Sequence, residues 1–90
     1  MIEGTTPLGF EFKIDEDNLD DMEFIDALRD LKEGDFTSLS NIADYVLGQE
    51  QKKALYENIK AHDEKHKVRI TMFSTEMQFI LSYNQKLKNQ

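Results

Sequence analysis

The sequence predicts a mainly α-helical fold, a small bundle of about four helices preceded by a short N-terminal β-strand or extended arm. Three observations support this prediction. Apolar residues recur at helical spacing in four segments, glycines or a polar stretch separate these segments, and apolar and polar residues alternate only near the N-terminus. A chain of 90 residues has the size of one small domain. We therefore expect a single domain, residues 1–90, with residues 1–14 as the arm and 15–90 as the helical body.

The predicted strand covers residues 10–14, where Phe10, Phe12 and Ile14 alternate with charged residues. Acidic residues are frequent from 15 to 21, and carboxylates at the start of a helix accept hydrogen bonds from its free N–H groups. The first helix is expected to begin there and to end at Gly34. Its apolar residues are Leu19, Met22, Phe24, Ile25, Leu28 and Leu31.

Glycine and polar residues separate the remaining helices. A second helix is predicted from about Ser38 to Gly48, and a third from about Gln49, with Leu55 and Ile59 on one side. Residues 62–67 contain no apolar side chain and predict a solvated connection to a fourth helix, over about 71–88. The expected buried face of the second helix consists of Leu39, Ile42, Ala43, Val46 and Leu47.

The last helix is more apolar than one core contact requires. At about 100° per residue its apolar side chains cover an arc of roughly 200°, whereas a single core-facing side needs about 100°. The helix either lies in a groove between two others or also binds a partner. In the second case Met72, Phe79 and Tyr83, at one edge of the arc, are the predicted partner-binding residues. The predicted core-facing set is Phe73, Met77, Ile80 and Leu81.

The charge is unevenly distributed. Residues 1–50 contain 14 acidic and 3 basic residues, whereas residues 51–90 contain 4 acidic and 8 basic residues. The net charge of −7 argues against binding to nucleic acid or to an anionic membrane. The asymmetry indicates intramolecular complementarity, a head-to-tail contact between subunits, or a solvated surface.

No pattern in the sequence predicts catalysis, a cofactor or a metal site. His62 and His66 have the i, i+4 spacing of a metal pair, but the acidic residues between them do not match the zinc protease motif. The acidic residues from 15 to 21 lack the order of a calcium-binding loop, so helix capping explains them better. The four glycines are isolated, which excludes a glycine-rich phosphate loop. Because none of these patterns supplies a catalytic site, we expect a protein without enzymatic activity. We expect it to be cytoplasmic, because neither a signal peptide nor an apolar run of about 20 residues is present.

Two segments resemble a family of phage proteins. The first is Ile2-Glu-Gly-Thr-Thr-Pro-Leu-Gly-Phe10 with the following Phe12-Lys-Ile-Asp-Glu-Asp17, Leu19-Asp-Asp-Met-Glu23 and Asp26-Ala-Leu28. The second is Val46-Leu-Gly-Gln-Glu-Gln-Lys-Lys-Ala-Leu-Tyr56. Both are similar to the tail assembly chaperones of long-tailed phages and prophages of Gram-positive bacteria, which are encoded ahead of the tape measure protein. The resemblance covers most of residues 1–60.

The resemblance implies a non-catalytic function in phage morphogenesis. Such chaperones bind the tape measure protein and keep it soluble until the tail tube protein assembles around it. They act in the host cytoplasm and are absent from the mature virion. The resemblance thus implies the tape measure protein as the partner, with the tail tube protein as an additional candidate. The charge asymmetry and the small size of the chain add further copies of the chain as another candidate partner.

Two other functions remain open. Residues 15–35 contain ten acidic residues, which is also typical of a nucleic-acid mimic that inhibits a host DNA-binding protein. The chain could alternatively be a minor structural component of the tail. A pull-down and the composition of purified virions distinguish these alternatives.

Overall fold

A computed structural model describes the backbone of residues 1–88 and the side chains of residues 1–83. Two short strands, β1 (Ile2–Thr5) and β2 (Glu11–Ile14), lead into a single 3-10 turn (Glu16–Leu19). Three α-helices follow in this part of the chain: α1 (Met22–Lys32), α2 (Thr37–His62) and α3 (Ile70–Lys88). The prediction of a mainly helical fold with a short N-terminal strand is therefore confirmed.

The N-terminal arm is a β-hairpin. β1 and β2 pair antiparallel, with Ile2 opposite Ile14 and Gly4 opposite Phe12. The sequence predicted only the second strand, because the segment from 2 to 5 includes a glycine and has only one large apolar residue. The partner of β2 thus lies within the same chain, which the alternation of residues 10–14 alone did not determine.

Two of the acidic residues after the hairpin, Asp15 and Asp21, cap helical segments as predicted. Asp15 accepts a hydrogen bond from the N–H of Asp17 at the start of the 3-10 turn, at 3.0 Å. Asp21 accepts one from the N–H of Glu23 at the start of α1, at 2.8 Å. Because Asp20 and Asp21 separate the 3-10 turn from α1, Leu19 lies outside the α-helix that was predicted to contain it.

The predicted second and third helices are one kinked helix, so the prediction of about four helices is corrected to three in the described residues. Gly48 has φ 79° and ψ 164° in the middle of α2, a conformation that side-chain-bearing residues rarely adopt. The prediction placed a helix end at this glycine, and the backbone does leave the helical conformation there. The backbone returns to the helical conformation directly after Gly48, without a connecting loop.

Asp35 starts α2 by accepting hydrogen bonds from the backbone N–H and the hydroxyl of Thr37. The hydroxyl bond, followed by the backbone bond, lowers the pKa of the Asp35 carboxyl from its usual value. The pattern of a carboxylate two residues before the bonded N–H is the same as at Asp15 and Asp21. Local capping chemistry therefore fixes where each of these helical segments begins.

One hydrophobic cluster joins the hairpin to all three helices. The predicted buried faces of both halves of α2 are confirmed, and Ile42, Leu55 and Ile59 are completely buried. On α1, Phe24 and Ala27 face the core, whereas Met22 and Ile25 are exposed. Within residues 1–88 no helix combines the length and the apolar composition needed to cross a lipid bilayer.

Replacement of the kink residue tests this fold. We expect Gly48→Ala to lower the free energy of unfolding by about 1–3 kcal/mol, because a Cβ is unfavourable at this φ and ψ. Gly48→Asn is expected to lower the free energy of unfolding by about as much. Asparagine tolerates the left-handed helical conformation, but Gly48 has a more extended ψ. Urea unfolding measures both effects. A Gly48→Ala variant with higher helicity and unchanged or greater stability would contradict the kink.

Candidate binding surface

The apolar arc of α3 divides into a buried face and a half-buried flank. Phe73, Met77 and Ile80 are buried, in agreement with the predicted core-facing set, whereas Leu81 is only partly buried. Tyr56 of α2 packs its ring edge on Phe73, with ring centroids 5.3 Å apart. Leu87, which belongs to the same apolar arc, and the adjacent Lys86 lie outside the described side chains.

The predicted partner-binding residues Met72, Phe79 and Tyr83 form the half-buried flank, which we call the α3 flank. All three pack against the core and keep part of their surface exposed. Phe79 and Tyr83 are one helical turn apart and stack at a ring distance of 6.1 Å and an interplanar angle of 28°. The three residues thus lie along one side of α3 as an apolar strip, in which Phe79 and Tyr83 contact each other.

The strip is anchored to the hairpin at a glycine. The ring of Tyr83 meets the ring of Phe12 edge-on, with centroids 5.6 Å apart. A Cβ at Gly4 would lie 2.7 Å from the end of the Phe12 ring and 3.2 Å from the Tyr83 ring. Gly4 therefore leaves the space in which the two rings meet. Because Phe12 is fully buried, its ring cannot move aside without disturbing the core.

A buried carboxyl group lies next to the α3 flank. Glu76 is 1% exposed and Thr6 is 4% exposed, and the Thr6 hydroxyl donates a hydrogen bond to Glu76 Oε1. The same hydroxyl accepts a hydrogen bond from the N–H of Phe10, at 3.1 Å. Thr6 therefore links the turn of the hairpin to α3.

Glu76 was not singled out in the sequence, although the sequence contains a signal for it. At 100° per residue it falls inside the apolar arc, between Tyr83 and Ile80. An acidic side chain in that position must be buried with a hydrogen-bond donor. Which donor it finds depends on the hairpin, 70 residues away in the chain.

A shallow cleft separates the flank from the hairpin turn. Its volume is about 240 Å³, and its apolar lining includes Leu8 and Met72, with Glu76 at the bottom. The side-chain amide of Asn58 donates a hydrogen bond to the carbonyl of Leu8 at 3.2 Å and holds the turn against α2. The cleft extends the α3 flank towards the hairpin.

The acidic residues from 15 to 35 form an exposed surface of the 3-10 turn and α1. Within α1, Arg29 lies 3.5 Å from Asp26 and 3.6 Å from Asp30, and Glu16 of the 3-10 turn lies 3.8 Å from the amino group of Met1. None of the described ion pairs joins this surface to a basic residue beyond position 50. Direct ion pairing within the described residues therefore does not account for the charge asymmetry of this region, and head-to-tail contact and a solvated surface remain as explanations.

The histidines occupy the end of α2 and the connection after it. His62 Nδ1 lies 2.8 Å from the carbonyl of Asn58, and His66 Nδ1 lies 3.2 Å from that of Lys60. No group of three or more histidine, cysteine or acidic residues within residues 1–88 is arranged to hold a metal ion. Each imidazole thus has a backbone contact of its own.

Asp63 organises the connection between α2 and α3. Its carboxylate accepts hydrogen bonds from Arg69 Nε at 3.0 Å and from the N–H groups of Lys67 and Lys65 at 3.1 and 3.2 Å. The Arg69 bond, followed by the backbone bond from Lys67, lowers the pKa of the Asp63 carboxyl. The residues around Asp63 are exposed, as predicted for a solvated connection. The hydrogen bonds to Asp63 nevertheless give this connection a defined local structure.

The Thr6–Glu76 hydrogen bond predicts a non-additive pair of substitutions. Thr6→Val is expected to reduce stability by about 2–3 kcal/mol, because it leaves a buried carboxyl without its donor. The double variant Thr6→Val with Glu76→Leu is expected to recover part of this loss, because both polar partners are then absent. Chemical denaturation of the four proteins completes the cycle. Additive effects of the two single substitutions would show that the bond is unimportant.

The lowered pKa of Asp63 predicts a pH dependence. A carboxyl with a depressed pKa in the folded state stabilises the fold above its unfolded value of about 3.9, and this contribution is lost as pH falls through the folded value. Asp63→Asn should therefore be less stable than the parent at pH 7, with a smaller difference at pH 3. Urea unfolding at both pH values measures this, with exposed Glu64→Gln as the matched control. A difference that is the same at pH 3 and pH 7 would contradict this role.

Comparison with known proteins identifies no relative of this chain. No protein-family model, no curated protein and no solved structure matches the chain. The functional interpretation therefore depends on the residues and surfaces described above.

Proposed function

We propose that this protein is a tail assembly chaperone of a long-tailed phage or prophage, which binds the tape measure protein and keeps it soluble during tail assembly. The proposal joins two independent arguments. One is the resemblance of the segments within residues 2–28 and 46–56 to such chaperones. The other is the surface of the protein, which suits binding of an apolar helical client. In this proposal the chain is not an enzyme and acts in the host cytoplasm.

The observation that carries the proposal is the α3 flank. Met72, Phe79 and Tyr83 pack on the core with one side and leave apolar surface exposed with the other. Aromatic side chains held rigidly by their neighbours are effective binding residues, because little side-chain freedom is lost on association. A strip of apolar residues along a helix, next to a cleft, is the arrangement that receives an amphipathic helix.

The acidic surface supports the second task of the proposed chaperone, which is to keep the tape measure protein soluble. A chaperone must keep its complex with an apolar client in solution, and a net charge of −7 opposes self-aggregation. Because residues 15–35 lie on the 3-10 turn and α1, this charge is carried by elements other than α3. Binding and solubility are thereby assigned to different parts of the molecule.

Co-expression tests the proposed function directly. The chain is produced together with the product of the gene immediately downstream, and the amount of that protein in the soluble fraction is measured. We expect the soluble amount to increase strongly when the chain is present. A chain that instead captures host DNA-binding proteins would be a nucleic-acid mimic, and one found by mass spectrometry in purified virions would be a structural tail component. Either result would overturn the proposal.

Substitutions on α3 separate binding from folding. Ile80→Ala is expected to cost about 2–5 kcal/mol of stability, because Ile80 is fully buried. Phe79→Ser should cost only about 1 kcal/mol, because Phe79 is half-buried, and should weaken client binding by about 2 kcal/mol or more. Urea unfolding measures the first effect, and client solubility the second.

The matched control is Gln78→Ser, an exposed position on the same helix. It should change neither stability nor client solubility. If Phe79→Ser unfolds the domain, Phe79 belongs to the core. If it leaves client solubility unchanged, the α3 flank is not the binding surface.

A further inference from the structure

The cleft beside the α3 flank has a carboxyl group at its bottom that the proposed function does not use. One wall of the cleft is the hairpin turn, and the other is the first half of α3. Its lining residues are Pro7, Leu8, Thr71, Met72, Thr75 and Glu76. Its volume of about 240 Å³ is below the range of about 300–1,000 Å³ that is usual for ligand pockets. The cleft therefore has the size to receive one side chain of a larger partner.

The carboxyl group at the bottom has no counter-ion in the described part of the chain. All ion pairs found there involve acidic residues other than Glu76. The donor that Glu76 does contact is the Thr6 hydroxyl, which is neutral and bonds to Oε1. A carboxylate held away from bulk water is costly unless a charged partner or several hydrogen bonds compensate it. The site therefore favours the binding of a cation.

The second carboxyl oxygen of Glu76 remains accessible from the cleft. Oε2 accepts no hydrogen bond from the described residues, whereas Oε1 accepts that of Thr6. A fully enclosed Oε2 would then be a buried oxygen without a partner, and within the described side chains that situation is found at Asp44 Oδ1 and not at Glu76. Since Glu76 lines the cleft, Oε2 is the atom that a ligand in the cleft can reach.

Thr75 adds a second acceptor to the same wall. Its hydroxyl donates to the carbonyl of Thr71 at 2.9 Å, so the proton is engaged within the helix and the oxygen keeps lone pairs that can accept. Thr75 lines the cleft and is exposed. The cleft thus offers a carboxylate oxygen and a hydroxyl oxygen to a group that carries several N–H donors.

This arrangement favours an ammonium group over a guanidinium group. A guanidinium binds best when both oxygens of a carboxylate accept in parallel, but the Thr6 hydroxyl already bonds to Oε1 of Glu76. An ammonium group is a compact charge with three donors, and one free carboxylate oxygen is sufficient for it. The apolar side chains of Leu8 and Met72 suit the four-carbon stem that carries the ammonium group of lysine.

We infer that the cleft binds one lysine side chain of a partner polypeptide, with the stem against Leu8 and Met72 and the ammonium group against Glu76 Oε2. The inference rests on the proposed function in one respect, because the partner is the apolar client that covers the α3 flank. It adds a requirement for that client. Since Glu76 lies on α3 next to the strip of Met72, Phe79 and Tyr83, the lysine must lie among the apolar residues of the client's binding face.

A small ammonium ion tests the site without the client. The probe is n-butylammonium, which has the stem and the charge of a lysine side chain. The isotope-labelled full chain is titrated with it at pH 7 and constant ionic strength, and backbone amide chemical shifts are recorded. We expect saturable shifts centred on Thr6, Leu8, Met72 and Glu76. The neutral 1-butanol and the cation n-propylguanidinium should bind the cleft more weakly. Equal binding of either compound, or saturable shifts centred elsewhere, would overturn the inference.

Glu76→Gln removes the charge and keeps both the length of the side chain and an oxygen that can accept from Thr6. It should weaken n-butylammonium binding by about tenfold or more, because the opposite charge is then absent. Glu33→Gln is the matched control, since it changes the net charge equally at an exposed position after α1, an element that does not line the cleft. It should leave the affinity unchanged, and an equal loss in both variants would contradict the site. The comparison of the three compounds uses the parent protein, so it decides the question even if Glu76→Gln does not fold.

Co-expression separates this inference from the proposed function. When the parent chain solubilises the product of the downstream gene, Glu76→Gln should solubilise less of it than Glu33→Gln does. Equal recovery with the two variants would overturn the lysine site and leave the chaperone function intact. If the parent chain does not solubilise that product while n-butylammonium still binds in the cleft, the proposed function is overturned and the lysine site is supported.

Discussion

The backbone conformation of Gly48 is the constraint on which the rest of the structure depends. A straight helix of 26 residues would extend for about 39 Å, longer than the 37 Å longest dimension of the domain. The kink turns this length into two arms that pack on different elements. Tyr45, before the kink, contacts Phe24 and Glu23 of α1. Tyr56 and Asn58, after it, contact α3 and the hairpin turn.

The side chains around Gly48 compensate for the interruption of the helix. Gln51 donates a hydrogen bond to the carbonyl of Leu47 at the break and binds the backbone of β2 with the same amide. On the adjacent face, Lys52 Nζ lies 2.9 Å from Asp44 Oδ1 and 3.0 Å from Ser40 Oγ, so an ion pair crosses the kink. Asp44 Oδ1 is buried and accepts no hydrogen bond among the described residues, so the ion pair with Lys52 is the contact that compensates its charge. The kink is thus a defined joint, stabilised by polar contacts on both arms.

The hairpin supports the α3 flank and lines the cleft beside it. Its inner face carries Phe12, which supports Tyr83 of the α3 flank, and its turn carries Thr6, which satisfies Glu76. Its outer face carries charged side chains, among them Lys13, whose Nζ lies 3.5 Å from Glu3. A domain of this size gains little from a small core alone, so an element packed against several helices stabilises it substantially. The same packing gives the exposed side chains fixed positions, which a binding surface requires.

The sequence by itself determined the helical class, the caps and the core residues. Helical spacing identifies buried residues such as Ile42 and Ile80 because the period of a helix is a local property. Capping by Asp15 and Asp21 also involves only residues two positions apart. The position of Glu76 within the apolar arc also indicates, from local sequence alone, a buried polar contact. Its partner Thr6 could not be identified in this way, because it lies 70 residues away.

The tertiary structure alone decided three further features. It decided that Gly48 bends one helix, because the direction of the chain after a glycine depends on what the following helix packs against. It decided that Ile2–Thr5 is a strand, because a segment with a glycine and one large apolar residue needs a neighbouring strand to fix it. It also decided which side of the wide apolar arc stays partly exposed. Periodicity gives the width of such an arc, but only the positions of the hairpin and α2 determine how much of it they cover.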